Sequence, residues 1–143
     1  MKRGKFILVG AVLLIAFVLV IGSQNFIFSQ GSLLIKLHAV GGDKLTGIFI
    51  DPTVAYVKKD DIVVWMSGIE AEDLKIEFAD GKKCKKVTAH AINFNLDTER
   101  WCYVTSFIPF AATSSLQFTD VGEYFYKVYT SSGITARGRI VVE

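Results

Sequence analysis

Residues 122–143 read GEYFYKVYTSSGITARGRIVVE. Tyr124, Tyr126 and Val128 alternate with Phe125, Lys127 and Tyr129, and a period of two in aromatic and β-branched residues specifies a strand. Thr130-Ser131-Ser132-Gly133 is turn chemistry. Ile134 to Val142 forms a second strand, interrupted once by Gly138, where the missing side chain fits a bulge or a close backbone approach. The chain therefore ends on a hairpin, and the upstream sequence has to supply the strands that cover it.

It does so in short pieces. Leu33 to Val40 alternates, with Ile35, Leu37 and Ala39 on one face and Lys36 and His38 on the other, as in a half-buried strand. Gly41-Gly42-Asp43-Lys44 turns the chain into Leu45 to Ile50, which Pro52 breaks or confines to an edge. Thr53 to Val57 and Ile62 to Met66 flank a turn at Lys58-Lys59-Asp60-Asp61. Ile62-Val63-Val64-Trp65 is apolar on both faces, which suits a central strand. Leu74 to Phe78 is closed by Asp80-Gly81. Ile92, Phe94 and Leu96 alternate as a strand or as cover for a sheet edge. Trp101 to Ile108 is an irregular strand ending at Pro109, and residues 113–118 lead into the closing hairpin. No segment after residue 32 sustains a 3.6-residue period, so the prediction is an all-β sandwich.

The hairpin resembles the C-terminal hairpin of the cupredoxins, the plastocyanin-like blue-copper domains: Gly-x-Tyr-x-Tyr, a turn, then Gly-x-Ile-x-Val. Upstream, Ile50-Asp51-Pro52 followed by Val57-Lys58-Lys59-Asp60-Asp61-Ile62-Val63-Val64-Trp65-Met66-Ser67 is similar to that family's Phe-x-Pro and Val-x-x-Gly-Asp-x-Val-x-Trp-x-Asn segments. Asp60 replaces the turn glycine and Ser67 the asparagine. The resemblance covers roughly residues 47–143. It implies a Greek-key β-sandwich of cupredoxin type, preceded here by one N-terminal hydrophobic helix. It also implies where copper ligands would lie. The family's hairpin often carries them as Cys-x2-His-x4-Met, which falls on Val128, Ser131 and Ala136, and the first histidine falls on Leu74. A blue-copper ion takes a thiolate, two imidazoles and usually a weak thioether. No Cys, His or Met other than Met66 lies in residues 50–78 or 122–143. The expectation is a domain of this fold with no copper and no other cofactor. A relocated site would have to draw on His38, His90, Cys84, Cys102 and Met66.

The 143 residues allow one domain and an N-terminal segment. Residues 1–23 read as a membrane anchor or signal sequence, 24–32 as a linker and 33–143 as the sandwich. Lys2, Arg3 and Lys5 precede an uncharged run from Phe6 to Gly22. Its length lies between a signal-peptide core and a spanning helix. No Ala-x-Ala site follows and no cysteine would take a lipid, so an uncleaved anchor is the first expectation and a cleaved signal the second. Basic residues before the run keep the N-terminus cytoplasmic and export the domain. The expected location is the inner or cytoplasmic membrane with the domain outside. If the segment is cleaved, the domain is secreted or periplasmic. Formal net charge is +2; without the three leading cations, 13 basic residues face 14 acidic ones. Such a domain presents no general basic field for nucleic acid.

Seventeen residues separate Cys84 from Cys102. In an exported domain the pair is a disulfide candidate, and such a loop contributes about 3 kcal/mol in the chain-entropy account. Two free thiols, or redox or metal use, are the alternatives. Lys82, Lys83, Lys85 and Lys86 form either a docking cluster for an acidic partner or lipid headgroups, or a solvated turn beside Glu70, Glu72, Asp73 and Asp80. Trp101, Tyr103, Phe107 and Phe110 are either core or, where exposed together, a docking patch. No nucleophile, base and orienting group occur in a catalytic pattern, so the chain reads as non-enzymatic. The leading reading is a membrane-anchored, extracytoplasmic binding or scaffolding module with a protein partner. The second is a copper-binding or electron-transfer protein with a non-standard ligand set. The third is an immunoglobulin-like structural domain, which strand order would separate from the first two.

Overall fold

The computed structural model describes residues 30–78, 90–97 and 102–143. Eleven strands make up the described part: β1 (Ser32–Val40), β2 (Gly47–Asp51), β3 (Val54–Val57), β4 (Ile62–Gly68), β5 (Leu74–Phe78), β6 (Ala91–Ile92), β7 (Phe94–Asp97), β8 (Cys102–Thr105), β9 (Thr113–Gln117), β10 (Gly122–Thr130) and β11 (Thr135–Val142). They form two sheets, ordered β2-β1-β4-β9-β6 and β3-β11-β10-β5-β8-β7. This is the all-β sandwich of two sheets that the sequence predicts. β1 pairs with β4 in parallel, and β3 pairs with β11 in parallel. The constant-type immunoglobulin sheets, ABED and CFG, are antiparallel, so a parallel pairing in each sheet, one of them at the sheet centre, counts against the third reading. No helix among the described residues is long and apolar enough to cross a membrane; the apolar run of residues 6–22 lies outside them.

Pro52 divides one edge. β2 lies on the first sheet and β3 on the second, with a cis Asp51–Pro52 peptide between them. The turn after β3 is built on Asp60, whose φ of 72° is the left-handed conformation that glycine adopts freely. Aspartate is among the few side chains that tolerate it. The Asp60 carbonyl accepts from Gln30 Nε2 and from Gln117 Nε2, each at 2.9 Å. Asp61 Oδ1 accepts from the Gly31 N–H and Oδ2 from the Lys58 N–H. The chain is thus fixed to the sandwich from Gln30 onward.

The core lies between the sheets. Ile35, Leu37, Val63, Trp65, Leu74, Ile76, Leu116, Tyr126, Val128 and Ile140 are buried within it. Trp65 meets Phe78, Phe94 and Tyr126 edge-on, with ring centroids 5.8, 5.4 and 5.5 Å away. Such tilted pairs add about 0.5–1.5 kcal/mol each beyond their buried area. Gly138 is a close approach and not a bulge. It pairs in regular register with Tyr126, and a Cβ there would overlap the Tyr126 ring. β11 is unbroken through it. One further reading changes. Ala39 is exposed, because β1 runs past the core at its end. β4 is central in its sheet, as read; Val63, Trp65 and Ser67 face the core, and Ile62, Val64 and Met66 on its other side are half-buried. Residues 91–97 form two strands on different sheets, divided at Asn93 with φ 60°.

Gly138→Ala should therefore lower unfolding free energy by about 1–3 kcal/mol, as overpacking does, while Gly42→Ala, with nothing within 4 Å of its added methyl, should stay within about 0.5 kcal/mol; urea denaturation compares them. Burial pushes the Tyr126 hydroxyl up to about 12 from 10.0. A phenol whose folded value is raised favours the native state fully below pH 10, and that contribution is lost as the pH rises toward 12. Tyr126→Phe should accordingly flatten the loss of stability in this alkaline window.

Candidate functional site

β5, β10 and β11 bring three of the four inferred ligand positions together. Val128 is opposite Ile76 on one side and Ala136 on the other, and Leu74 is opposite Thr130. Leu74 and Val128 are fully buried, and Ala136 packs against the same core. They sit there because β10 alternates strictly: Tyr124, Tyr126, Val128 and Thr130 point inward and their neighbours outward. Leu74 is locked further by Ile108. The Leu74 N–H donates to the Ile108 carbonyl at 2.9 Å, and the Ile108 N–H returns the bond at 2.6 Å.

Ser131 is different. It lies exposed in the turn, where its hydroxyl donates to Glu72 Oε2 at 3.2 Å. The same carboxylate accepts from the Ser132 N–H at 2.9 Å and, through Oε1, from the Ser132 hydroxyl at 2.8 Å. Thr130 and Ser132 hydroxyls share a further bond of 2.9 Å, and the Ile134 N–H donates to Thr130 Oγ1. Glu72, from the loop before β5, therefore ties down the hairpin turn. The Ser132 N–H first, and then its hydroxyl, hold the Glu72 carboxyl below its ordinary 4.5. Beside this clamp lies an open cleft of about 610 Å³, with Asp43, Lys44 and Thr46 on one wall and Glu72, Ser132 and Ile134 on the other.

Against a blue-copper ion's donor set, these four positions offer three hydrocarbon side chains and one hydroxyl already given to Glu72. They do not fit the ion. His38 and His90 are both exposed, His38 beside the Phe49 ring at 6.4 Å. Among the described residues no three of His, Cys, Asp or Glu are grouped to hold a metal ion. Cys84, Lys82, Lys83, Lys85, Lys86 and Trp101 lie outside the described residues, as does the side chain of Cys102, and with them the disulfide candidate and the lysine cluster.

Phe107 and Phe110, at 51% exposure each, flank the Ile108 anchor at this same end of the sandwich. The loop that displays them is fixed, since Ala111 N donates to Ser67 O and Ser67 N to Ala112 O. Tyr103, by contrast, packs against the core. Lys75 Nζ lies 5.9 Å from both the Phe107 and the Tyr129 ring centroids. Sequence reasoning missed Glu72 as the clamp. A carboxylate 60 residues from the serine it binds carries no local pattern.

No family profile matches the chain, and no curated protein does. Among solved structures, an oxidised amicyanin with a methionine-to-lysine substitution is similar to it at 18% identity and TM-score 0.49, over 82% of this chain and 87% of that one. The copper(I) form of a methionine-to-glutamine amicyanin variant is similar at 18% identity and TM-score 0.49, over 79% and 83%.

The clamp yields a titration. A carboxylate whose folded value is depressed contributes stability above its unfolded value and loses it as the pH falls through the folded one. The Ser132 amide resonance should move with a midpoint below 4.5, and Glu72→Gln should abolish that step.

Proposed function

We propose that this chain is a membrane-anchored, extracytoplasmic cupredoxin-like module that binds or scaffolds a protein partner, performs no catalysis and holds no type 1 copper. One observation carries the reading: the positions where the resemblance puts copper ligands are Leu74, Val128 and Ala136, packed into or against the core, and Ser131, tied to Glu72. Filling that space with hydrocarbon favours folding by about 25 cal/mol per Å² of buried apolar surface, and leaves no thiolate or imidazole to bind a metal. The rigid loop carrying Phe107 and Phe110 supports the binding role. Half-exposed aromatic side chains on a fixed backbone lose little freedom when a partner covers them. The uncharged run of residues 6–22 after three cations supports the anchor and the outward orientation.

The alternative, a copper protein with a non-standard ligand set, would rely on His38, His90, Met66 and the two cysteines. His38 and His90 are exposed and belong to no metal-holding group of three side chains among the described residues, which counts against it. Copper titration of the exported full chain, read by elemental analysis and absorbance, should leave less than 0.1 copper per chain after desalting, on the order expected for contamination in a site lacking soft ligands. One copper per chain would overturn the reading. Alkaline carbonate extraction of membranes should leave the chain in the pellet; release into the supernatant would remove the anchor.

A further inference from the structure

The outer face of the six-stranded sheet carries cations that the fold leaves without a carboxylate. Lys75 on β5, Lys127 on β10 and Arg137 on β11 alternate with core residues on three adjacent strands, and so point outward. Lys127 stands directly opposite Arg137, and Lys75 directly opposite Tyr129. Like charges placed opposite one another on neighbouring strands oppose folding. The lysine heads rest on rings instead. Lys127 Nζ is 5.6 Å from the Tyr129 centroid, and Lys75 Nζ is 5.9 Å from the centroids of Tyr129 and Phe107. Contacts of this kind hold an ammonium without neutralising it. Three acids lie on the strands of this sheet. Glu123 is paired with Arg139 at 3.4 Å. Glu77, opposite Lys127 on its other side, accepts from the Tyr129 hydroxyl at 3.4 Å. Asp97 is on β7, three strands from β10, about 14 Å across the sheet. Among the described residues no carboxylate forms an ion pair with Lys75, Lys127 or Arg137.

We propose that this patch, together with the loop carrying Phe107 and Phe110, binds an acidic segment of a protein partner in which carboxylates stand beside aromatic side chains. The inference rests on the binding-module reading above and names the chemistry of the partner. Charge complementarity selects it. A carboxylate set between Lys127 and Arg137 turns their repulsion into two attractions, and the Arg137 guanidinium can take it in a two-pronged grip. Lys75 joins the charged part of the patch to the apolar part, because its head touches Phe107 as well as Tyr129. Phe107 and Phe110 are half-exposed, and aromatic residues and arginine are the types that carry most interface energy. Position favours a protein over a lipid surface. The Lys59 N–H donates to the Glu143 carbonyl at 3.0 Å, so the chain end beyond β11 lies beside the turn to which residues 30 and 31 are bonded. Arg137 is six residues back along the strand, about 20 Å away. In an anchored chain that distance keeps the patch off the headgroup plane.

The test is a titration of the exported full chain, in mild detergent, with a random copolymer of glutamate and tyrosine, which offers carboxylates and rings in many orders. Backbone amide resonances report where it binds. Shifts should cluster at Lys75, Lys127, Arg137 and the loop carrying Phe107 and Phe110, and binding should weaken as salt rises. Arg137→Glu should weaken binding by about tenfold or more without lowering the urea midpoint, because the new carboxylate stands opposite Lys127. A residue that served only the fold would lower the midpoint instead. Lys127→Gln removes one of the two opposed charges by a smaller change, and should weaken binding even if Arg137→Glu does not fold. Polyglutamate, which lacks the rings, should bind more weakly than the copolymer. A copolymer that leaves these resonances unmoved overturns the proposal, as does wild-type affinity in the folded variants. Phosphatidylglycerol vesicles that shift the same resonances where the copolymer does not would overturn it in favour of lipid. Copper titration reports separately on the module reading. A copper-free chain that ignores the copolymer loses this inference alone, and a chain that loads copper loses that reading whatever the copolymer does.

Discussion

The contact of the Tyr126 ring with the Gly138 backbone sets the geometry of the sandwich. It joins the two strands of the closing hairpin on the inner face, where any side chain at 138 would push the phenol aside. Trp65, from the opposite sheet, stands edge-on against the same ring, with Phe78 and Phe94 completing the cluster. The spacing between the sheets is therefore set at its centre by four aromatic side chains whose positions depend on one absent Cβ. Rigid interiors pass such constraints outward. β10 lies between β11 and β5, so the placement of Tyr126 also fixes Val128 against Ile76 and Thr130 against Leu74.

That chain of contacts explains the character of the site end. Two demands meet there: the interior face of β10 must be filled, and the exposed turn must be held. Val128, Leu74 and Ala136 meet the first with hydrocarbon. Glu72 meets the second by accepting three hydrogen bonds from Ser131 and Ser132 across the turn. A charged acceptor makes stronger bonds than a neutral one. The outcome is a loop end fixed by side-chain hydrogen bonds and by the Leu74–Ile108 backbone pair, with two phenylalanines held outward on it.

Much of the fold was legible because period-two alternation registers burial directly. β5 and the closing hairpin emerged from it nearly residue for residue, and Asp60 in the place of a turn glycine was correctly located as the tight point of its turn. What alternation could not convey was pairing across long separations. Gly138 read equally as bulge or close approach until Tyr126 was found opposite it. Glu72 was read as one acid among several because its partners are 59 and 60 residues away. The apolar run of residues 62–65 marks β4 as the central strand of its sheet, which it is.

The direction of β1 connects these features. Residues 30 and 31 are bonded to the turn that precedes β4, and β1 then runs parallel to β4 toward the loop that contains Glu72. The segment leading in from residues 1–29 therefore joins the sandwich at the end opposite the Glu72 clamp and the Phe107–Phe110 loop. A connection at one end leaves the other end free to be shaped by contact alone. The Gln30–Asp61 end and the Glu72 end are thus held by separate sets of hydrogen bonds, and a substitution at either need not disturb the aromatic centre that holds the sheets together.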